Sequence, residues 1–345
     1  MKFGLFADAK DPETFQTYTR PNADPRPGAP EPSGDLTAQG TPRTARTSVI
    51  GIELGGSVVR AALVEASVVQ KACILDAPSD SPPQEIIALF ARAVGELDPK
   101  PVAVGLAVPG EIDENGRCWG ISGTPGFDGV YVAEELAAEL GCPVSIESEG
   151  FSAALAERLH GHGQGHDGML AVVLGQRLSA GLALHGGLLR GSSGFGASLG
   201  HVQIDPGPDA RPCDCGRRGC LEQYAGLRAL LDDYEKLAGS RATVTQIVER
   251  ASQAESAAIQ ALSALGYALG TGIALVQNIL DLDAIVIVCQ EPELFRALQP
   301  HVRNRLRELV FGPPASEVPL FASRLGSDAV IVGAADLAAH IGQPQ

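Results

Sequence analysis

Three cysteines fall within eight residues, at Cys213, Cys215 and Cys220, in the stretch GHVQIDPGPDARPCDCGRRGCLE from Gly200 to Glu222. His201 stands just upstream. Three thiols and an imidazole this close point to one tetrahedral Zn²⁺, which is satisfied by four S or N donors in a closed structural site. Gly216 and Gly219 let the backbone turn sharply enough to bring the sulfurs to one ion. The other four of the seven cysteines, Cys73, Cys118, Cys142 and Cys289, are scattered and read as ordinary core or surface thiols. An odd cysteine count with three on a metal suits a reducing cytosol better than a disulfide framework, so a cytoplasmic location is expected.

The remaining composition narrows the function classes. A formal net charge of −15 over 345 residues argues against a surface that tracks phosphates, so no nucleic-acid partner is expected. The first residues carry no long apolar core or small-residue cleavage site and do not read as a secretory signal. No apolar run is seen that approaches the length of a bilayer span, so no membrane partner is expected. Residues 1–47 are rich in proline and polar side chains, which reads as a disordered or extended tail. That tail lacks the apolar helical faces of a helix-turn-helix domain.

The ordered body opens with SVIGIELGGSVVRAALVEA from Ser48, two β-rich runs around a Gly-Gly turn. Helical spacing follows over Gln84–Leu97, then strands over Val102–Val108 and Pro143–Ile146, with helices over Tyr131–Leu140 and Ser152–Leu159. Past a glycine- and histidine-rich link holding His160, His162 and His166, the strand Met169–Leu174 leads into a second hairpin, about 120 residues after the first. The link reads as a solvated loop, with a second metal as the lesser alternative. Helices are expected over Leu227–Leu237, Val244–Ala251, Glu255–Leu280, Pro292–Leu309 and Ala329–His340, with a strand at Ala284–Val288. On the Glu255–Leu280 helix, Ala258, Ala261, Ala264 and Ala268 mark one side for close packing. A repeated hairpin of this kind predicts a duplicated α/β fold with two lobes facing a cleft.

These motifs together resemble the ROK family of sugar kinases and sugar-responsive repressors, over about residues 49–342. The resemblance rests chiefly on Gly200-His201 with C-x-C-G-x-x-G-C-x-E at Cys213–Glu222, and more weakly on GLAVPGEID at 105–113, GTPGFDGV at 123–130 and VGAADLA at 332–338. It implies an α/β, two-lobed, actin-like (ribonuclease-H-like) sugar-kinase fold with a structural zinc. The N-terminal lobe would span residues 48–145, completed by the C-terminal helix 329–342, and the second lobe 146–328. A homodimer is expected by resemblance.

The family's chemistry needs residues that this chain has changed. Its general base is an aspartate in a V-E-N-D run; here Ile146-Glu147-Ser148-Glu149 puts Glu149 in that place and Ser148 in place of a sugar-contacting asparagine. The extra methylene moves a carboxylate by about 1.5 Å, and an error of about 1 Å can cost on the order of a hundredfold in rate. A glutamate at a helix start that serves only the dipole is the competing account of Glu149. Ser198 replaces the sugar-gripping glutamate of G-E-x-G-H, and Gly123 stands for another asparagine. His201 and Glu222 are what remains of the hydroxyl-binding set. On the nucleotide side, D-x-G-G-T has become Glu53-Leu54-Gly55-Gly56-Ser57, and the second loop reads Leu174-Gly175-Gln176-Arg177-Leu178-Ser179-Ala180-Gly181. An arginine where a glycine should approach phosphate obstructs the loop, unless Arg177 itself pairs with an anion. A Gly-Gly turn expected after the last strand is Cys289-Gln290. The expectation is a non-catalytic or weakly active protein that senses a sugar or related ligand, or regulates a partner. The alternative is an ATP-dependent glucokinase-type enzyme that uses ATP and Mg²⁺, with Glu149 as base.

Overall fold

Val104–Val108, Gly168–Leu174 and Ala284–Val288 are buried along their whole lengths, as strands covered on both faces must be. The computed structural model describes residues 49–78, 81–121 and 126–341. The tail expected over residues 1–47 and the Gly123 position lie outside the described residues.

Strands β1 (Val49–Gly55), β2 (Val58–Glu65) and β3 (Val68–Asp76) form a meander, and helix α1 (Pro83–Leu97) leads to β4 (Val104–Val108). A small ribbon of β5 (Glu111–Ile112) and β6 (Cys118–Trp119) precedes α2 (Val132–Leu140), β7 (Val144–Ser148) and α3 (Glu149–His160). Then come β8 (Gly168–Leu174), β9 (Leu178–Leu184) and β10 (Gly187–Leu188). Helices α4 (Glu222–Ala225), α5 (Leu227–Ala238), α6 (Val244–Ser252) and α7 (Ser256–Leu280) follow. The chain closes with β11 (Ala284–Val288), α8 (Pro292–Leu309), α9 (Pro313–Ser316), β12 (Leu320–Ala322) and α10 (Ala329–Ile341).

The strands make two five-stranded mixed sheets, β3-β2-β1-β4-β7 and β10-β9-β8-β11-β12. In each, an antiparallel meander is extended by two parallel strands, so the second sheet repeats the pattern of the first. The recurring hairpin in the sequence is the visible part of that repeat. The strand β3 was not foreseen, because its side chains are mostly exposed and it lies at a sheet edge.

Helix α7 departs from expectation twice. It is long and apolar enough, by length and composition, to cross a membrane, although no such run was read from the sequence. In the fold, Leu262, Leu265, Leu269 and Ile273 bury into the core of the second sheet's helices. Of the alanines expected to pack closely, Ala258 and Ala261 are buried in that core and Ala268 packs against it, while Gly266 and Gly270 make the close approach to α8. Ala264 is exposed, and a Cβ at Gly266 or Gly270 would lie 2.6 Å from His301 or 2.7 Å from Arg305.

Helix α10 packs against α3 and lies on β1 and β4. The contact works because glycines face it: a Cβ at Gly51 would sit 2.2 Å from the Ile331 carbonyl, and one at Gly105 would sit 1.7 Å from that of Ala334. From the helix side, a Cβ at Gly333 would meet the Ser152 carbonyl at 1.8 Å. Backbone cannot yield as a side chain can, so Gly105→Ala is expected to destabilise the protein by about 3 kcal/mol. Urea unfolding of the two proteins measures it; an unchanged midpoint would mean that α10 sits farther from β4.

Candidate functional site

The cysteine stretch folds back on itself through Gln203↔Cys220 and Pro212↔Arg218 bridges. The Cys213 amide donates to the Arg217 carbonyl at 2.8 Å, closing a tight knuckle around Cys215. Gly219 has φ +76°, and a Cβ there would lie 1.8 Å from the Asp205 carbonyl, so no other residue fits. This brings the His201 imidazole and the sulfurs of Cys213, Cys215 and Cys220 within 4.8 Å of one another. Cys215 and Cys220 sulfurs are 3.7 Å apart, as are Cys213 Sγ and His201 Nδ1. Four donors on a tetrahedron at Zn–S of ~2.3 Å have edges of about 3.8 Å, so the residues fit such an ion. Desolvation lowers the His201 pKa and keeps the ring neutral, the form that ligates.

The cleft beside this knuckle is lined by Glu111, Glu149, Arg177, Ser198, His201 and Glu222, among others. Glu149 opens α3, directly after Ser148, whose hydroxyl caps the helix by accepting from the Phe151 amide at 3.3 Å. Ser148 is buried and held as a cap. Glu149 is half-buried in the cleft wall: desolvation pushes its carboxyl up to about 8, and the charge of Glu53 adds to the rise while Arg177 opposes it. Glu53, at the end of β1, is pushed up to about 7 by burial, against the pull of Arg60, whose guanidinium is 3.8 Å away. Burial raises the proton affinity of both carboxyls, and the charge of Glu53 adds to the rise at Glu149.

The two nucleotide-side loops meet. Gly56 turns with φ +38°, and a Cβ on it would touch the Gln176 side chain at 3.7 Å. Gly55 ends β1, and the Ser57 carbonyl accepts from Ala77. The Gly175 carbonyl receives the Leu227 amide at 3.0 Å, which ties the second loop to the start of α5. Arg177 and Ser179 lie outside the left-handed backbone region, so neither position demands glycine for its backbone angles. Ser179 instead accepts from the Gly150 amide at 3.0 Å.

Arg177 itself reaches Glu222. Its Nε donates to Oε2 at 3.1 Å and its Nη2 to Oε1 at 3.0 Å, a two-pronged fork. Burial works to raise the Glu222 carboxyl, but Arg177 and the Cys213 thiol, 2.9 Å away, hold it below the usual range. The anion for Arg177 is therefore within the chain. Glu222, expected to face a ligand hydroxyl, has both oxygens engaged. Ser198 donates to Glu111 at 2.9 Å, so Glu111 joins the cleft although sequence reasoning gave it no role. A glutamate directly after Pro109-Gly110 was the available signal. Cys289 is buried at the end of β11.

The three linker histidines part. His160 Nε2 pairs with Asp336 at 2.9 Å, His162 stacks on Phe321 at 4.4 Å, and His166 Nδ1 is 3.5 Å from Asp283. The hydrogen bond to Asp336 raises the His160 pKa despite burial. A raised folded value means that the pair stabilises fully below the unfolded pKa of about 6.5 and loses that contribution as pH rises through the folded value. Melting temperature should therefore fall more steeply above neutrality in the parent than in His160→Gln; parallel curves would remove the pair from the account.

Comparison with known proteins places this geometry. The ROK family model matches residues 49–341. Glucokinase of Thermotoga maritima is 30% identical over 311 residues, covering 85% of this chain and 97% of that protein. The xylose repressor of Bacillus subtilis is 28% identical over 239 residues, covering 67% of this chain and 59% of its own length. Among solved structures, a ROK family glucokinase from Streptomyces griseus, crystallised with glucose and AMPPNP, superposes with TM-score 0.78 at 26% identity, over 85% of this chain and 99% of that one. A ROK family transcriptional regulator, homologous to the Escherichia coli MLC protein, gives TM-score 0.73 at 25% identity, over 84% and 76%. The matched span takes in both sheets, the cleft and the cysteine knuckle: the chain belongs to the ROK family.

Proposed function

We propose that this is a non-catalytic or barely catalytic sugar-kinase-like protein that binds a sugar or related ligand in its cleft and acts as a sensor or regulator. The observation that carries this is the Arg177–Glu222 fork. It engages a hydroxyl-binding carboxylate with a guanidinium from the loop that would otherwise approach phosphate. A base must also be free of its proton to take one from a hydroxyl, and a carboxyl near 8 is mostly protonated at neutral pH. A zinc ion at His201, Cys213, Cys215 and Cys220 would hold the knuckle that carries Glu222, a structural role. We include in this reading two lobes of residues 48–145 with 329–342 and 146–328, a homodimer and a cytoplasmic location.

One observation favours the kinase alternative. Glu149 lines the same cleft as His201 and Glu222, where a general base would have to stand to reach a bound hydroxyl. Bound Mg²⁺-ATP would supply the phosphoryl group, and Glu53, the carboxyl in the place of the family's Mg²⁺-facing aspartate, would be the residue to face its Mg²⁺. Incubation with ATP, Mg²⁺ and a panel of hexoses and N-acetylhexosamines separates the two. The expected result is no turnover and no thermal shift at millimolar nucleotide. Turnover that disappears in Glu149→Gln would replace this reading with the kinase.

A further inference from the structure

The cleft holds an acid with too few partners. Glu111 sits on β5, and burial pushes its carboxyl up to about 7, with the Ser198 bond lowering it and the charge of Glu147 raising it. Its hydrogen-bond partner among the described residues is the Ser198 hydroxyl, at 2.9 Å. That hydroxyl has a single proton and a second acceptor, the Phe195 carbonyl at 2.8 Å. Of the acids in or near the cleft, Glu222 is held by Arg177, Glu147 by Arg190 at 2.6 Å and Asp113 by Arg117 at 2.8 Å, whereas Glu149 has no ion pair among the described residues and Glu111 has Ser198. Among the described residues the second oxygen of Glu111, Oε2, accepts no hydrogen bond, in a half-buried side chain that lines the cleft. Donors on a ligand in the cleft would supply partners for it.

Position matters as much as charge. Ser198 stands where the family motif has a glutamate, and its own Oγ is directed at Glu111. An acid thus reaches the cleft beside Ser198 from the ribbon after Pro109-Gly110. We propose that Glu111 is the specificity-determining acceptor of this cleft, taking over from position 198 and gripping adjacent hydroxyls of an uncharged sugar. The inference rests on the sugar-binding part of the reading above. Two carboxylate oxygens accept two neighbouring hydroxyls, and this binding favours the ionised acid. Arg177 is already occupied by Glu222, and no other arginine or lysine lines the cleft among the described residues to receive a phosphate. Sugars carrying phosphate are therefore the wrong class.

The test is titration calorimetry on the full chain with glucose, N-acetylglucosamine and glucose 6-phosphate, using the parent, Glu111→Gln, Ser198→Ala and the double variant Glu111→Gln/Ser198→Glu. The Gln variant keeps an acceptor for Ser198, and a matched thermal melt confirms that it folds. At least one uncharged sugar is expected to bind the parent more tightly than glucose 6-phosphate does. Glu111→Gln should weaken it by about tenfold to a hundredfold. Ser198→Ala should have a smaller effect, and the double variant should recover part of the loss. Equal affinity of the parent and Glu111→Gln overturns the inference and leaves the sensor reading standing. ATP-dependent turnover overturns the non-catalytic reading alone, since the effect of Glu111 is then read in KM. If neither uncharged sugar binds the parent, the role of Glu111 and the sugar ligand both fall.

Discussion

Stripping metal from the purified protein with a chelator is expected to lower its stability by about 5 kcal/mol or more. Structural zinc contributes about 10–16 kcal/mol of apparent binding energy in small zinc-folded peptides, and the figure here is reduced because most of the core lies elsewhere. An ion on the four donors would add to the hydrogen bonds that already tie Asp205 to Tyr224 and Arg211 to Asp233 in this segment. Between His201 and Cys220 the described elements are two isolated bridges and turns, with no helix or extended strand. Without an ion, three sulfurs and an imidazole within 4.8 Å would be a poorly packed group. Cys215→Ser should reproduce most of the loss, although Cys215 is exposed and its removal leaves no core cavity. That contrast makes the variant informative: a surface cysteine of no structural use would change stability by under ~0.5 kcal/mol. Elemental analysis is expected to find one zinc per chain. An absence of zinc, together with an unaltered melt for Cys215→Ser, would leave the cluster as coincidence.

How far the sequence revealed the molecule depends on the sequence distance of each interaction. The cysteine–histidine cluster was legible because its four residues are close in the chain and their spacing carries the geometry. The doubled sheet was legible through the hairpin repeat, since strand alternation and Gly-Gly turns are local signals. Arg177 and Glu222 are 45 positions apart, and Glu111 and Ser198 are 87 apart. No period or motif links such pairs, so Arg177 read as an obstruction to phosphate and Glu222 as a free acceptor. Glu149 shows a third case. Its place in the motif was clear, but its proton affinity depends on burial and on Glu53, which comes from β1 in the other half of the chain.

Arg177→Ala is expected to destabilise the protein by about 3–5 kcal/mol, the cost of leaving one member of a buried ion pair alone. The Glu222 side chain is 4% exposed and that of Arg177 22%, so water screens the acid little once the guanidinium is gone. Adding Glu222→Gln to Arg177→Ala should recover most of the loss, because a neutral amide does not need the missing cation. The cycle separates a genuine fork from two residues that merely adjoin, for which the losses would add. It also bears on function. If the fork is what keeps Glu222 from a ligand, Arg177→Ala should tighten sugar binding in calorimetry while it weakens the fold, a pairing of effects that general damage to the cleft would not give. Loss of stability with unchanged or weaker sugar affinity would make the fork a structural tie between the β8–β9 loop and α4, and would reopen the cleft to the kinase reading.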